Sequence, residues 1–208
     1  MLNTAGAFGM NDFVFGDEHS NVLISSLANR SLAFPANGKT GIILFGDFGT
    51  GKTTLAKELP KWIDDDNDVA VTWNDCGLDA AKKIKRAEHQ FQFISWNQSG
   101  KHWFVWDEAD LMNTENQQKL KTMMNYSNTA HIFTTNYLNK IDKALQSRCH
   151  IINMNPSCVA ADYANRVRDI AKTKYKRILS QSEIKMIVGD GDESWRDMLT
   201  TLDAVCCL

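Results

Sequence analysis

The feature that most constrains this chain is an octapeptide, Gly46-Asp47-Phe48-Gly49-Thr50-Gly51-Lys52-Thr53, set between an apolar run and a helix-forming run. Gly41-Ile42-Ile43-Leu44-Phe45 leads into it and Thr54-Leu55-Ala56-Lys57-Glu58-Leu59 comes after it. The spacing satisfies G-x-x-x-x-G-K-[ST] in the strand–loop–helix setting that gives the pattern its meaning. The glycines let successive backbone N–H groups curl around phosphate oxygens, and the helix N-terminus adds partial positive charge. Lys52 is placed to reach the β- and γ-phosphates, and the Thr53 hydroxyl to ligate Mg²⁺. The expected nucleotide contacts are therefore Gly46, Gly49, Thr50, Gly51, Lys52, Thr53 and Thr54. The expected cofactors are ATP and Mg²⁺.

Short apolar runs alternate with helical patterns along the first three quarters of the chain. Gly41–Phe45, Val69–Trp73, Trp103–Trp106, His131–Thr135 and His150–Met154 are the expected strands, with helices over Thr53–Ile63, Leu78–Phe93 and Glu115–Tyr126. Such alternation implies crossover connections and a parallel sheet covered on both faces, an α/β fold. Asn155-Pro156-Ser157 ends the pattern, and the remainder of the chain reads as helical. Val159, Tyr163, Val167 and Ile170 form one stripe behind Ser157 as a possible N-cap. Ser180-x-x-Glu183 spells a capping box before Ile184, Ile187 and Val188. Trp195, Met198, Leu199, Leu202 and Val205 form a third stripe. The expected domains are a nucleotide-binding α/β unit over 1–155 and a three-helix unit over 156–208.

Trp103-Phe104-Val105-Trp106-Asp107-Glu108 is an apolar strand ending in two acids. Asp107 suits the Mg²⁺ shell, and Glu108 suits the orientation and activation of an attacking water. The tetrapeptide Asp107-Glu108-Ala109-Asp110 also spells the helicase DEAD box. That class needs a Ser-Ala-Thr motif and a second RecA-like domain, and this chain has neither. His131-Ile132-Phe133-Thr134-Thr135-Asn136 ends another strand on an amide that can help position water near the γ-phosphate. The ordinary alternative is an Asn that starts a turn. Arg148, just before a short strand, is either an ion-paired surface residue or a finger projected at a neighbouring subunit's phosphates. Arg196, at the start of the last helical stripe, is either helix-surface charge or a sensor of the γ-phosphate.

Taken together these motifs resemble the AAA+ ATPases, and among them the small-subunit clamp loaders of phages, archaea and eukaryotes. The resemblance rests on Asp107-Glu108-Ala109-Asp110, Asn116-Gln117-Gln118-Lys119-Leu120, Tyr126-Ser127, Thr135-Asn136 and Leu145-Gln146-Ser147-Arg148-Cys149 in that order. Val71-Thr72-Trp73-Asn74-Asp75-Cys76 sits where that family has its Glu-Leu-Asn-Ala-Ser strand end, and Gly191 to Leu202 where it has its sensor-2 helix. The resemblance implies that Arg148 is a finger acting in trans on a homo-oligomeric neighbour and that Arg196 is the lid sensor. It implies that Asp12-Phe13-Val14-Phe15-Gly16 runs along the adenine, with Phe13, Val14 and Phe15 as contacts; the alternative is a segment packed on the core. It further implies that Lys82, Lys83, Lys85 and Arg86 on one helix, and Lys119 and Lys121 on another, track DNA phosphates. The plain alternative for such runs is a solvated helix face.

Departures qualify the resemblance. Asp47-Phe48 replaces the usual Pro-rich start of the loop, one residue is missing before Tyr126, and Asn125 stands where an acid is usual. The chain also stops short of the helical collar of that family. The expectation is that another chain supplies the collar, or that assembly runs through the AAA+ faces alone, as a ring or filament. A sliding clamp is an expected partner. The competing functions are a helicase loader, a transposition or recombination accessory ATPase, and a superfamily 3 viral helicase, whose origin-binding domain has no counterpart here.

Bulk properties narrow the field. The net charge of −2 over 208 residues argues against a strongly basic coat protein but permits a local basic face. Cys76, Cys149, Cys158, Cys206 and Cys207 form no C-x-x-C pair and match no zinc spacing, as expected of reduced thiols. Neither a signal peptide nor an apolar run of membrane-spanning length is present, so an intracellular location is expected and no membrane partner.

Overall fold

A computed structural model describes residues 13–156, 159–189 and 194–207. Asp12, the Ser157 cap, Cys158 and Gly191–Glu193 lie outside the described residues.

The expected parallel sheet is present. Its strands are β1 (Gly41–Phe45), β2 (Val71–Asp75), β3 (His102–Asp107), β4 (Thr129–Thr135) and β5 (Cys149–Asn153), in spatial order β2-β3-β4-β1-β5. All four pairings are parallel. Four strands differ by one or two residues from the sequence expectation; β3 starts at His102 and runs on to Asp107, and β4 starts at Thr129. β2 begins at Val71 rather than Val69, because its register runs Val71↔Trp103 to Asp75↔Asp107 and so carries the strand out to the acid. β5 begins at Cys149 because Gly41 pairs with it.

Side chains of successive strand residues point to opposite faces, so each strand feeds two cores. Ile42, Leu44, Trp103, Val105, Ala130, Ile132 and Ile152 bury one face. The helices on that face are α1 (Glu18–Ala28), through Ile24 and Leu27, and α2 (Lys52–Asp64), through Leu55, Ala56 and Leu59. Ile43, Phe104, Trp106 and Phe133 bury the other face. There they meet Ile84 and Ala87 of α3 (Ala80–Gln90), Leu120 and Met123 of α4 (Thr114–Met123) and Leu145 of α5 (Lys143–Gln146). Both α3 and α4 are shorter than the expected Leu78–Phe93 and Glu115–Tyr126, since Asp79 and Asn113 take the N-cap positions and turns begin at Phe91 and Met124.

Three further helices, α6 (Val159–Lys174), α7 (Gln181–Val188) and α8 (Trp195–Cys206), close on a core of their own. Tyr163, Val167, Ala171, Ile184, Ile187, Met198 and Leu202 fill it. The Ser180–Glu183 capping box is formed in both directions. Val14 packs on this helical core while Phe13 and Phe15 pack on the sheet core, so the N-terminal segment is stapled to both layers.

Candidate functional site

The register of the sheet gathers the motifs. Phe45 pairs with Thr135, and Trp106 with Phe133, so the C-terminal ends of β1, β4 and β3 stand side by side. The octapeptide leaves β1 at this edge. Gly49 and Gly51 have φ of 77° and 91°, left-handed backbone that glycine adopts without a Cβ penalty. A Cβ on Gly49 would also stand 2.7 Å from the Ser194 Cβ, so the loop's close approach to the lid needs a glycine there.

α2 begins at Gly51 with no side-chain cap. The N–H groups of its first turn have no intrahelical acceptor and face the loop. Lys52, only 8% exposed, donates to the carbonyls of Gly46 at 2.7 Å and Asp47 at 2.5 Å. It forms no ion pair among the described residues. Burial lowers its pKa to about 8 against the pull of Asp47, Asp107 and Asp110, with Arg196 adding repulsion. A buried ammonium that meets only carbonyls and a hydroxyl is matched to a phosphate anion.

Thr53 Oγ1 donates to Asp107 Oδ1 at 3.2 Å. Among the described residues no group of three or more His, Cys, Asp or Glu could hold a metal. One hydroxyl and one carboxylate suit Mg²⁺, which completes its shell with phosphate oxygens and water. The residues present thus fit both ATP and Mg²⁺.

Glu108 directly follows the strand and is exposed, with φ 56° and ψ 49°. For a non-glycine residue this conformation costs roughly 1–2 kcal/mol. Thr134 holds it in place. Its Oγ1 accepts the Glu108 N–H at 3.0 Å and donates to Asp107 Oδ1 at 2.5 Å. Asp110 does the same for the end of β4, accepting from Thr135 Oγ1 at 2.7 Å and from the Asn136 N–H at 3.4 Å. Asn136 thereby follows directly on the end of β4 with its main chain held to Asp110. Asn155 Oδ1 accepts the Asp47 N–H at 2.6 Å and anchors the start of the loop.

A cavity of about 180 Å³ opens beside the loop. Phe13, Val14, Gly49, Thr50, Gly51, Lys52, Thr53 and Thr54 form its near wall; Tyr163, Trp195, Arg196 and Leu199 of the lid form the other. Tyr163 and Trp195 stack with ring centroids 4.8 Å apart at 12°. Phe15 does not line this cavity. It packs with the sheet core instead, while its neighbour Val14 packs against the helical core. Arg196 is exposed in the first turn of α8, at the cavity rim.

Arg148 lies at the other end of the sheet. Its carbonyl accepts from the N–H groups of Thr40 and Gly41, where β1 begins. Its Nε donates to Asn125 Oδ1 at 3.3 Å and its Nη1 to the Ala144 carbonyl at 2.9 Å. A five-residue strand rises about 13 Å between its ends. Arg148 therefore stands a full strand length from the phosphate loop of its own chain.

The basic helices α3 and α4 pack together on one face. Lys85 and Arg86 are exposed with no ion-pair partner among the described residues. Lys82 lies 3.9 Å from Asp79, and Lys119 is 2.7 Å from Glu115, both pairs at the surface. Lys83 turns inward to the Asp75 carbonyl at 2.5 Å. Lys121 is half-buried in the last turn of α4. Beyond the end of α3 the chain exposes Phe93, Ile94 and Trp96 at 72%, 88% and 98%. The turn beneath them is firmly built: Asn97 accepts from the Ala70 N–H and donates to the Ala70 and Lys101 carbonyls.

Sequence reasoning missed Thr134, Asp110, Asn155, Tyr163 and Trp195 as members of the site. Thr134 and Asp110 lie within the motifs and need only the register. Tyr163 and Trp195 read as core, which they also are.

A phosphate loop on the central strand, an acidic strand end beside it and a helical lid over the cavity define a P-loop nucleoside triphosphatase. The chain belongs to the ATPase family associated with various cellular activities (AAA), whose profile matches residues 42–157. It is similar to the replication factor C small subunit of Picrophilus torridus, 28% identical over 94% of this chain and 60% of the relative. It is also similar to replication factor C small subunit 2 of Pyrobaculum islandicum, 30% identical over 74% and 50%. The Natronomonas pharaonis replication factor C small subunit is 28% identical over 88% and 57%. The chain thus spans between half and 60% of the length of these relatives. Among the described residues, no helix is long and apolar enough to cross a membrane.

The state of Lys52 sets a pH dependence. ATP binds the ammonium form, and in the free protein that form is lost as pH rises through about 8. ATP affinity is therefore expected to weaken by about tenfold per pH unit above that point. Equilibrium titration with a fluorescent ATP analogue between about pH 7 and 9.5 measures it. An affinity flat across this window would show that Lys52 stays charged.

Proposed function

We propose that the chain is a DNA-dependent ATPase of the clamp-loader type, in which subunits share nucleotide sites and close on primer–template DNA. Lys52, Thr53 and Asp107 hold the Mg²⁺–ATP phosphates, Glu108 and Asn136 place the attacking water, and Arg196 reports the γ-phosphate to the lid. The base lies against Phe13 and Val14 on one side and the Tyr163–Trp195 pair on the other.

The observation that carries this reading is the placement of Arg148, a strand length away from its own loop on the opposite edge of the sheet. A guanidinium there is out of reach of its own nucleotide and is placed to meet that of a neighbouring copy. Its contact with Asn125 holds the group through a neutral amide, which leaves the positive charge undiminished for a phosphate.

DNA binding is supported by the joint face of α3 and α4. Lys85 and Arg86 present charge that meets no acid among the described residues, and the surface pairs of Lys82 and Lys119 are weak enough to exchange a carboxylate for a phosphate. Contacts of this kind are salt-dependent and nearly blind to sequence. The apolar tip formed by Phe93, Ile94 and Trp96 continues from the C-terminal end of that same helix. It suits a protein partner seated on the DNA next to this face, and a sliding clamp is the partner we assign to it.

Steady-state ATP hydrolysis, measured over a range of protein concentration with and without primed DNA, tests the whole reading. The rate per chain is expected to rise with concentration and again with primed DNA, and Lys85→Glu/Arg86→Glu to remove the second increment. A rate indifferent to both variables would overturn the shared site and the DNA ligand together.

A further inference from the structure

We infer that Thr134 is a positioning residue for hydrolysis: its hydroxyl sets the carboxylate of Asp107 and the main chain of Glu108 in one move. The residue is 2% exposed and its hydroxyl both donates and accepts. Its single proton goes to Asp107 Oδ1 at 2.5 Å, and a lone pair takes the Glu108 N–H at 3.0 Å. Asp107 Oδ1 accepts a second hydrogen bond from Thr53 Oγ1 at 3.2 Å, so one carboxylate oxygen is fixed from β4 and from α2 at once.

The consequence for Glu108 follows from its backbone. The residue sits in left-handed conformation, which its Cβ disfavours. Such a conformation persists where surrounding bonds over-determine it, and it re-aims the side chain away from the course a continuing strand would give. The bond from Glu108 N–H to Thr134 is the tie that spans from β3 to β4 at that point. Without it the N–H is left without that acceptor, and relaxation of the turn carries the Glu108 carboxylate away from its place. Thr134 therefore links the metal-binding acid, the water-orienting acid and, two residues on along the chain, Asn136. This inference rests on the roles proposed above for Asp107 and Glu108 and is independent of the DNA and inter-subunit readings.

Three variants test it. Thr134→Val keeps the shape and β-branch of the side chain and removes only the hydroxyl function. Thr134→Ser and Thr134→Ala both lack the methyl group and differ from each other by the hydroxyl, so this second comparison holds if the valine variant folds poorly. The hydroxyl-free variants are expected to lose about 10- to 100-fold in kcat, measured at saturating Mg²⁺–ATP, while Thr134→Ser stays within about threefold of wild type. Activity is not the only readout. Binding of a fluorescent ATP analogue is compared with Mg²⁺ and with EDTA; the Mg²⁺-dependent gain in affinity is expected to shrink in Thr134→Val and to persist in Thr134→Ser, with affinity in EDTA equal for all. If Thr134→Val hydrolyses like wild type, or Thr134→Ser and Thr134→Ala fall together, the methyl group matters rather than the hydroxyl and the inference is wrong. A loss of affinity in EDTA that matches the loss in Mg²⁺ would likewise sink it, since that pattern reports a general disturbance of the loop.

Discussion

Arg148→Ala is expected to lower ATP hydrolysis by about 10³-fold while ATP affinity stays near that of the unaltered chain. The split follows from geometry. Arg148 touches Asn125, Ala144 and the start of β1, and no atom of its own phosphate loop. Ground-state binding by the same chain therefore does not need it, whereas in the proposed shared site the charge that develops on a neighbour's transferred phosphoryl group does. The local fold should survive, because the Arg148 carbonyl that caps β1 belongs to the main chain. Complementation makes the test decisive. Lys52→Ala removes the buried cation of a chain's own site but leaves its Arg148 intact. Mixed with Arg148→Ala, it creates interfaces in which an intact loop faces an intact arginine, and hydrolysis should partly return. Absence of rescue at every mixing ratio would mean that the site is not shared.

The pattern of residues carried the sheet and the phosphate loop because both obey short periods. Ile42 and Leu44 against Ile43 and Phe45 is a period of two, and the glycines sit where left-handed backbone and close approach require them. α1 escaped notice for an equally physical reason. Its buried stripe is Ser20, Ile24 and Leu27, and the first of these is polar. Ser20 is tolerated inside because its hydroxyl accepts the Asn153 N–H at 2.9 Å, a contact between residues 133 positions apart that no local window contains. The same logic explains the site. Lys52, Thr53, Asp107 and Glu108 belong to motifs in which each residue's chemistry is local to its own turn. Thr134 gains its place only from the pairing of β3 with β4, which sets the residue after Phe133 beside the residue after Trp106. Tyr163 and Trp195 become a wall of the cavity only when the lid closes on Gly49. Phe15 shows the converse, an expected ligand contact that packs with the sheet core and does not line the cavity.

Glu108→Gln should produce the other large effect, a fall in kcat of about 10²- to 10⁴-fold with ATP binding retained. The amide is nearly isosteric with the carboxylate, and the bond that fixes the turn uses the Glu108 main-chain N–H, so Thr134 and Asp107 keep their arrangement. What is lost is the negative charge that, in the proposed mechanism, orients and deprotonates water. Asp107→Asn gives the needed contrast. It weakens the acceptor of both Thr53 and Thr134, so it should reduce the Mg²⁺-dependent share of ATP affinity as well as turnover. Nucleotide titration and single-turnover hydrolysis of the two variants side by side separate the roles. Equal affinity with slow chemistry in Glu108→Gln, against weaker Mg²⁺–ATP binding in Asp107→Asn, assigns water activation to one acid and metal binding to the other. If the two variants behave alike, the carboxylates act as one charged unit and the division of labour between them fails. The retained affinity has a further use. A chain that binds ATP but does not cleave it should hold whatever nucleotide-dependent assembly forms, so sedimentation of Glu108→Gln with ATP reports the ATP-bound oligomer directly. In that assembly Arg148→Ala, added to the same chain, should weaken association only if the arginine touches the neighbour's nucleotide before chemistry begins.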